Sequence, residues 1–320
     1  MAEAQSTPKP TMYCRKCGYV LDHLIEHRCP ECGRDFDPAR RQSYRNKPLR
    51  RWWLKWLLRA VVAFLVLLAI SSAWIYRQYR IEQRTMTRVT ELGGRYAARP
   101  LGPPWLTKWL AQRNLPALDA VFWVRLLNTQ ATDADLKNMR GLANLRVLWL
   151  NNTAVTDTGV AHLKRLTQLE ELNLHTTQVG DAGLLHVRGL THLKMLDLSR
   201  TNVTDEGLVH LKGLAKLEDL SLYGTKVTDK GLAHLEGLTS LTGILWLSDT
   251  QITDEGLVHL KGFTNLRELW LPRTRITDEG LVHLGGLTSL KRLILTGTRV
   301  TEEGIADLKE ELPNLGIAGP

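Results

Sequence analysis

A 24-residue repeat runs through residues 118–320 and constrains the fold more than any other feature of the chain. A short motif occurs six times, each time followed by a version of xxLxxLxLxxT, and its copies read VTDTGVAHLKRL, VGDAGLLHVRGL, VTDEGLVHLKGL, VTDKGLAHLEGL, ITDEGLVHLKGF and ITDEGLVHLGGL. The spacing is 24 residues, or 25 where Gly243 is inserted. A unit of this length cannot bury an apolar face by itself, so the repeat predicts a stack of similar coils.

Two leucines separated by one residue mark a short buried strand in each coil. The pairs are Leu148/Leu150, Leu172/Leu174, Leu196/Leu198, Leu220/Leu222, Leu245/Leu247, Leu269/Leu271 and Leu293/Leu295, and Val124/Leu126 is a degenerate first pair. The period and the LxxLxL core match the leucine-rich repeat, and the form VTDxGLxHLKGL resembles leucine-rich repeat proteins that are numerous in some bacteria. The resemblance implies an α/β solenoid of about eight 24-residue repeats, each with a strand and a helix. For function it implies a binding scaffold.

Three polar positions also recur once per coil, which indicates structural roles rather than a catalytic pair. One is a threonine whose hydroxyl is predicted to bridge the backbones of adjacent coils: Thr153, Thr177, Thr201, Thr225, Thr250, Thr274 and Thr298. The second is an aspartate predicted to cap the helix that follows it: Asp133, Asp157, Asp181, Asp205, Asp229, Asp254 and Asp278. The third is a histidine predicted to pack between helices or to bond to the neighbouring coil, in preference to binding a metal: His162, His186, His210, His234, His259 and His283.

The stretch NLRELWLPRT places its largest side chain away from the core. Trp270 lies between Leu269 and Leu271, and side chains alternate across a strand, so Trp270 faces the concave side of the solenoid. The predicted ligand-binding residues of this face are Trp149, Tyr223, Ile244, Trp246, Trp270 and Ile294. Trp246 and Trp270 are on neighbouring strands about 4.8 Å apart and are expected to stack side by side. An aromatic patch predicts recognition of a protein or a surface polymer; alternatively, the tryptophans only pack against one another.

Four cysteines near the N-terminus have the spacing of a structural metal site. Cys14, Cys17, Cys29 and Cys32 form two Cys-x-x-Cys pairs, each followed by a glycine. Four thiolates on two tight turns suit a closed tetrahedral site, and the segment resembles a short zinc ribbon, with zinc preferred over iron. The module is predicted to cover residues 1–39, with residues 14–33 as its core. The alternatives are two disulfides or idle thiols, and His23 and His27 could substitute as ligands.

An apolar segment predicts a single transmembrane helix over residues 54–79. Residues 60–76 carry no charge, and Trp52, Trp53 and Trp56 on one side and Trp74, Tyr76 and Tyr79 on the other are placed like interfacial aromatic belts. The alternatives are a buried helix of a soluble domain and a cleavable signal peptide, which a long leader with a metal module argues against.

Basic residues favour a cytoplasmic N-terminus. Eight lysines and arginines in residues 40–59 precede the uncharged residues 60–76, and five arginines in residues 77–95 follow them, so the repeat domain is expected outside the cytoplasm. The cysteines agree with this orientation, because reduced thiolates belong in a reducing compartment and residues 33–320 contain no cysteine. The basic linker, residues 40–53, is explained by topology and anionic lipid.

Residues 80–117 are predicted to form a linker and an N-terminal cap. Trp105, Leu106, Trp109 and Leu110 have helical spacing, and the first coil needs a cover for its core. The alternative is a helix on the membrane surface.

The charge distribution helps to separate the possible functions. Residues 1–117 carry 21 Lys and Arg against 8 Asp and Glu, whereas residues 118–320 carry 21 against 25. The repeats are therefore not basic, and a nucleic-acid partner is not expected for them. The sequence has no Gly-rich phosphate loop and no nucleophile beside a base, so no enzyme activity is predicted. The leading hypothesis is a membrane-anchored binding scaffold; the alternative is a regulatory or nucleic-acid-binding protein that acts through the metal module, with the repeats as sensor.

Overall fold

The computed structural model describes residues 11–24, 26–45, 47, 52–100, 103–112 and 119–319. The chain divides into two compact units, Met1–Ala73 and Trp74–Pro320, which are described separately.

The first unit contains a small module around the cysteines. Strands β1 (Tyr13–Cys14) and β2 (Tyr44–Arg45) pair antiparallel. Its buried apolar residues are Cys14, Leu21, Cys29 and Phe36. Such a core is small for independent stability, because domains below about 40 residues usually need a metal or disulfides.

Helix α1 (Trp52–Glu91) begins in this unit and is 40 residues long. All of residues 56–77 are exposed, including Phe64 and Leu67. Among the described residues, one helical segment, Trp56–Glu91, is long and apolar enough to cross a membrane, judged by length and composition. An exposed apolar surface of this size is unusual on a soluble protein.

The second unit is a leucine-rich repeat solenoid, as the repeat predicted. A ten-stranded sheet runs in chain order from β3 to β12. Its first two strands, β3 (Arg95–Pro100) and β4 (Asp119–Arg125), are antiparallel, and all later neighbours are parallel. These later strands are β5 (Val147–Trp149), β6 (Glu171–Asn173), β7 (Met195–Asp197), β8 (Asp219–Ser221), β9 (Ile244–Trp246), β10 (Glu268–Trp270), β11 (Arg292–Ile294) and β12 (Gly316–Ala318). Strand β12 adds a ninth coil to the eight that the leucine pairs indicated.

Short helices form the opposite side of each coil. They are α2 (Pro104–Gln112), α3 (Asp133–Met139), α4 (Asp157–Val160), α5 (Asp181–Val187), α6 (Asp205–Leu208), α7 (Asp229–Ala233), α8 (Asp254–Leu257), α9 (Asp278–Leu281) and α10 (Glu302–Glu311), of which α2 precedes the first coil. Several continue as 3₁₀ turns: Leu163–Arg165, Val209–Leu211, Val258–Leu260 and Val282–Leu284. Strand and helix leucines from all coils join one buried core that extends from Met86 to Leu315.

The repeated aspartate connects neighbouring coils, and its predicted role as the cap of its own helix is wrong. The residue before it, such as Thr204 before Asp205, is the N-cap, and the aspartate is the first helical residue. Asp181 Oδ1 accepts the backbone N–H of Thr204 at 2.8 Å, and its Oδ2 accepts the hydroxyl at 2.7 Å. The same pair of hydrogen bonds to the threonine of the next coil recurs at Asp133, Asp205, Asp229, Asp254 and Asp278. Each carboxylate thus holds the cap of the next coil.

This contact explains the glycine of the motif and gives a test. A Cβ at Gly207 would lie 2.3 Å from Asp181 Oδ1, whereas one at Gly189 would meet nothing within 4 Å. Gly207→Ala is therefore expected to displace the carboxylate and to lower the free energy of unfolding by about 2 kcal/mol. Gly189→Ala is the matched control and should change it by less than about 0.5 kcal/mol. Denaturant unfolding of both variants is the measurement, and equal midpoints would contradict the role of this contact.

The repeated threonine bonds within its own coil, so the predicted bridge between coils is wrong. Thr225 donates its hydroxyl to the carbonyl of Leu222 at 2.7 Å, three residues earlier. The same bond occurs at Thr129, Thr153, Thr177, Thr201, Thr250, Thr274 and Thr298. The hydroxyl closes the corner where the chain leaves the strand.

The repeated histidines are half-buried, and His259 Nδ1 lies 2.5 Å from Glu236 Oε1 of the preceding coil.

The first coil is covered by the C-terminal part of α1 and by β3. Met86 and Val89 are buried in the solenoid core, and Ile81 packs against it. Arg88 Nε donates to Asp135 Oδ1 at 2.7 Å, and Gln78 Nε2 donates to the carbonyl of Gly141 at 2.8 Å. The predicted cap around Trp105 and Trp109 falls on α2, where Trp105 is 70% exposed; the side chains of Leu106 and Leu110 lie outside the described residues. Of the described residues between 80 and 117, those that pack in or against the solenoid core are Ile81, Met86, Val89, Leu92 and Ala98.

Candidate ligand-binding cavity and cysteine cluster

A cavity of about 390 Å³ lies on the concave face of the solenoid. It extends over five successive coils, because its lining residues are His175, Asp197, Ser199, Ser221, Tyr223, Trp246, Ser248, Trp270, Pro272 and Arg273. Every one of these residues belongs to a strand or to the corner directly after it. The volume is within the range of small-ligand pockets, about 300 to 1,000 Å³.

Two tryptophans form one wall of the cavity. Trp246 and Trp270 are in register on β9 and β10, with ring centroids 5.2 Å apart and an interplanar angle of 87°. The rings are neighbours, as expected, but they meet edge to face instead of stacking. Edge-to-face contact is a geometry that aromatic pairs favour. Trp270 Nε1 donates to Glu268 Oε2 at 3.1 Å, which fixes the orientation of that ring. Together the rings make an apolar corner that is open to a ligand.

The floor of the cavity is polar and consists of small side chains. Ser199, Ser221 and Ser248 are 4%, 3% and 7% exposed, and the hydroxyls of Ser199 and Ser221 lie 2.6 Å apart. Asp197 Oδ1 accepts from the Ser199 backbone N–H at 2.9 Å, and its Oδ2 accepts from Asn173 Nδ2 at 2.8 Å. The floor is therefore held by its own hydrogen bonds before any ligand binds.

The rim of the cavity is an ordered chain of charged and aromatic groups. Arg200 Nη2 donates to the Tyr223 hydroxyl at 2.6 Å, and its guanidinium carbon lies 5.0 Å from the centre of that ring. Arg273 makes a bidentate ion pair with Asp249, and the hydrogen bond from Arg273 lowers the pKa of the Asp249 carboxyl. Arg200, Asp249 and Arg273 have φ of 52°, 54° and 54°, left-handed values that turn the chain at the end of each strand.

The predicted face residues divide into those that line the cavity and those that do not. Tyr223, Trp246 and Trp270 line it together. Ile244 and Ile294 lie beside it, in register with Glu268 and Trp270. Trp149 is in a separate cluster near the first coil, where its ring centroid is 6.4 Å from that of Trp123. A role in ligand binding stays a prediction for all six.

Sequence reasoning missed the floor and, apart from Tyr223, the rim. Asn173, Asp197 and Ser221 lie between the paired leucines, at the outward-facing central strand position, but the sequence did not assign them to a site. The available signal was the run of small hydroxyl residues at outward positions of three consecutive coils, namely Ser199, Ser221 and Ser248.

The four predicted cysteines come together in the first unit. The sulfur atoms of Cys14, Cys17, Cys29 and Cys32 all lie within 4.8 Å of one another. The sulfur atoms of Cys14 and Cys32 are 3.6 Å apart and those of Cys17 and Cys29 are 3.4 Å apart, and none of the four cysteines forms a disulfide. A tetrahedral ion with bonds of about 2.3 Å would place its sulfur ligands about 3.8 Å apart. The cluster therefore has the dimensions of a four-thiolate metal site.

Two equivalent turns position the sulfurs. Gly18 donates its N–H to the carbonyl of Cys14 at 3.0 Å, and Gly33 donates to that of Cys29 at 2.9 Å. Both glycines have positive φ, 79° and 69°. Burial opposes the charged form of the Cys14 thiol, but backbone hydrogen bonds at Cys17 and Lys16 outweigh it and lower its pKa to about 6. His23 and His27 are exposed, and the described metal-binding group contains only the four cysteines.

Comparisons with known proteins agree on the class of the repeats. The protein family described as Leucine Rich repeat matches residues 189–211. No curated protein sequence matches the chain at a significant level. The leucine-rich repeat fold is thus defined by the coil geometry above and by this family match.

Several solved structures are similar to the chain. Internalin C2 of Listeria monocytogenes is 26% identical, with 62% of this chain and 80% of that chain covered and a TM-score of 0.49. An internalin F of the same organism is 20% identical, with 57% and 69% covered and a TM-score of 0.37. A plant peptide hormone receptor, RGFR1 in complex with RGF2, is 17% identical, with 57% and 33% covered and a TM-score of 0.39.

Proposed function

We propose that the chain is a membrane-anchored leucine-rich repeat protein that binds a protein or a surface polymer through its concave face. The observation that carries this proposal is the cavity that Trp246, Trp270 and Tyr223 line together with buried serines. Aromatic anchors in a concave, hydrogen-bonded setting are typical of binding sites. The ordered rim supports it as well, because a surface that is already fixed loses less entropy when a ligand binds.

Helix α1 would anchor the protein in a membrane. The basic residues before the apolar segment favour a cytoplasmic N-terminus, which leaves the solenoid outside the cytoplasm. In this orientation the concave cavity is outside the cytoplasm, where it is accessible to a surface polymer or to an extracytoplasmic partner protein.

The cysteine cluster would hold one structural zinc ion. The distances between its sulfur atoms support such a site, and zinc is the ion that four thiolates most commonly hold in small modules of this kind. Four protein ligands leave no coordination position for a substrate, so the role of the ion is to stabilise the module.

The double substitution Trp246→Ser, Trp270→Ser tests the binding face. Full-length protein in detergent is incubated with membrane and envelope extract, and captured partners are compared with those of the parent. Capture is expected to fall at least about tenfold, because both anchors are removed. Trp105→Ser is the control, since Trp105 is an exposed tryptophan on α2 and is not among the cavity-lining residues. Equal capture by the double variant and the parent would contradict this proposal.

A further inference from the structure

The chemistry of the cavity restricts the kind of ligand that it can take. Its charged lining residues, Asp197 and Arg273, are already paired: Asp197 accepts hydrogen bonds from Ser199 and Asn173, and Arg273 holds Asp249. A charged ligand group would have to compete with these internal partners, and burying a charge without a partner is unfavourable. The lining therefore suits a ligand without net charge.

The floor requires a ligand that is rich in hydrogen-bonding groups. The hydroxyls of Ser199, Ser221 and Ser248 line the cavity, and each can both donate and accept. The Ser199 hydroxyl already donates to Asp197 and bonds to the Ser221 hydroxyl. An apolar side chain of a protein partner would leave the remaining acceptor sites of Ser221 and Ser248 unused, which is unfavourable. A ligand that carries several hydroxyls of its own can form hydrogen bonds with these serines.

The walls require the same ligand to present an apolar face. Trp246 and Trp270 form a corner at 87°. An aromatic ring face is electron-rich, so it attracts polarised C–H groups as well as cations. Hydroxyl groups around the edge of a ring and C–H groups on its face are the two properties of a sugar. The lining spans five coils, about 19 Å at 4.8 Å between strands, so there is room for more than a single ring.

From these observations we infer that the cavity binds an uncharged saccharide chain. One sugar ring packs its C–H face against Trp246 and Trp270, and its hydroxyls bond to the serine floor and to His175. This inference rests on the proposed function and specifies its ligand class. A protein partner that inserts an apolar side chain is the competing occupant.

The test uses the full-length protein in a detergent without a sugar headgroup, since an alkyl glycoside would compete for the site. The probes are neutral oligomers of glucose, mannose, galactose and N-acetylglucosamine, with oligogalacturonate as the acidic probe, and calorimetry measures binding. At least one neutral oligomer is expected to bind with a millimolar or lower Kd. Trp246→Ala and Trp270→Ala should each weaken this binding about tenfold, and Ser221→Ala about threefold or more. Trp105→Ala should leave it unchanged, since Trp105 is an exposed tryptophan on α2 and is not among the cavity-lining residues.

The outcomes distinguish a wrong ligand class from a wrong binding face. Binding of only the acidic oligomer, or of no oligomer, overturns the saccharide inference. If a protein partner is at the same time captured in a Trp246-dependent manner, the proposed function holds and the occupant is a protein. Saccharide binding that survives both tryptophan substitutions overturns the inference and also the concave face as the working surface.

Discussion

The substitution Val89→Asp in the C-terminal part of α1 is expected to open the first coils of the solenoid. Val89 is 0% exposed and belongs to the same core as the strand leucines of the first coil. A carboxylate at this position would be buried without a partner, and the destabilisation is expected to be about 4 kcal/mol. Coils of a solenoid contact only their neighbours, so the effect should be strongest at this end.

Hydrogen exchange resolved along the chain measures this effect. Amides of β4 and β5 should exchange about a thousandfold faster than in the parent, because each 1.4 kcal/mol is a factor of ten. Amides of β9 and β10 should change much less. Thr87→Asp is the matched control, since Thr87 is exposed on the same helix. If both variants exchange alike at β4, residues 81–91 do not cover the first coil.

The same contacts bear on how the solenoid can be isolated. A truncated chain of residues 95–320 lacks Ile81, Met86 and Val89, which the core of the first coil uses. Binding experiments therefore need the helix as well as the repeats.

The sequence predicted the solenoid because its signal is periodic. Buried leucines every 24 residues specify a strand in each coil, and alternation along the strand places Trp246 and Trp270 on the outward face. What periodicity cannot show is whether a polar contact lies within a coil or between coils, since every coil carries the same residues. Asp181 and Thr204 bond between coils, whereas Thr225 bonds within its own coil. The two possibilities look alike in the sequence, and both were assigned incorrectly.

The buried positions on α1 and the polar floor of the cavity were missed for different physical reasons. In residues 77–95 the arginines dominate the pattern, so the buried positions Met86 and Val89 were hidden between charged neighbours such as Arg84 and Arg88. The shape of the cavity depends on side-chain torsions, and strand alternation fixes only the face on which a residue lies. The perpendicular arrangement of the two indoles follows from packing and from the hydrogen bond of Trp270 to Glu268.

Replacing Cys29 by serine is expected to abolish metal binding and to unfold the cysteine module. Among the described residues, the apolar side chains buried in the core of the module are Cys14, Leu21, Cys29 and Phe36. A structural zinc ion contributes roughly 10 to 16 kcal/mol in small domains. The full-length protein should carry one equivalent of zinc by elemental analysis, and Cys29→Ser should carry almost none. His23→Ala is the matched control, because His23 is exposed and outside the cluster. It should keep the ion.

The same experiment distinguishes the module from the solenoid and tests the alternatives for the cysteines. Limited proteolysis of Cys29→Ser should cleave within residues 11–45 and leave the repeats intact, since the two units have separate cores. If the site holds iron instead of zinc, the protein should be coloured, and elemental analysis should find iron. A metal content that Cys29→Ser does not change would contradict a four-cysteine site, because the loss of one of four thiolate ligands weakens metal binding and leaves a position that only water could fill.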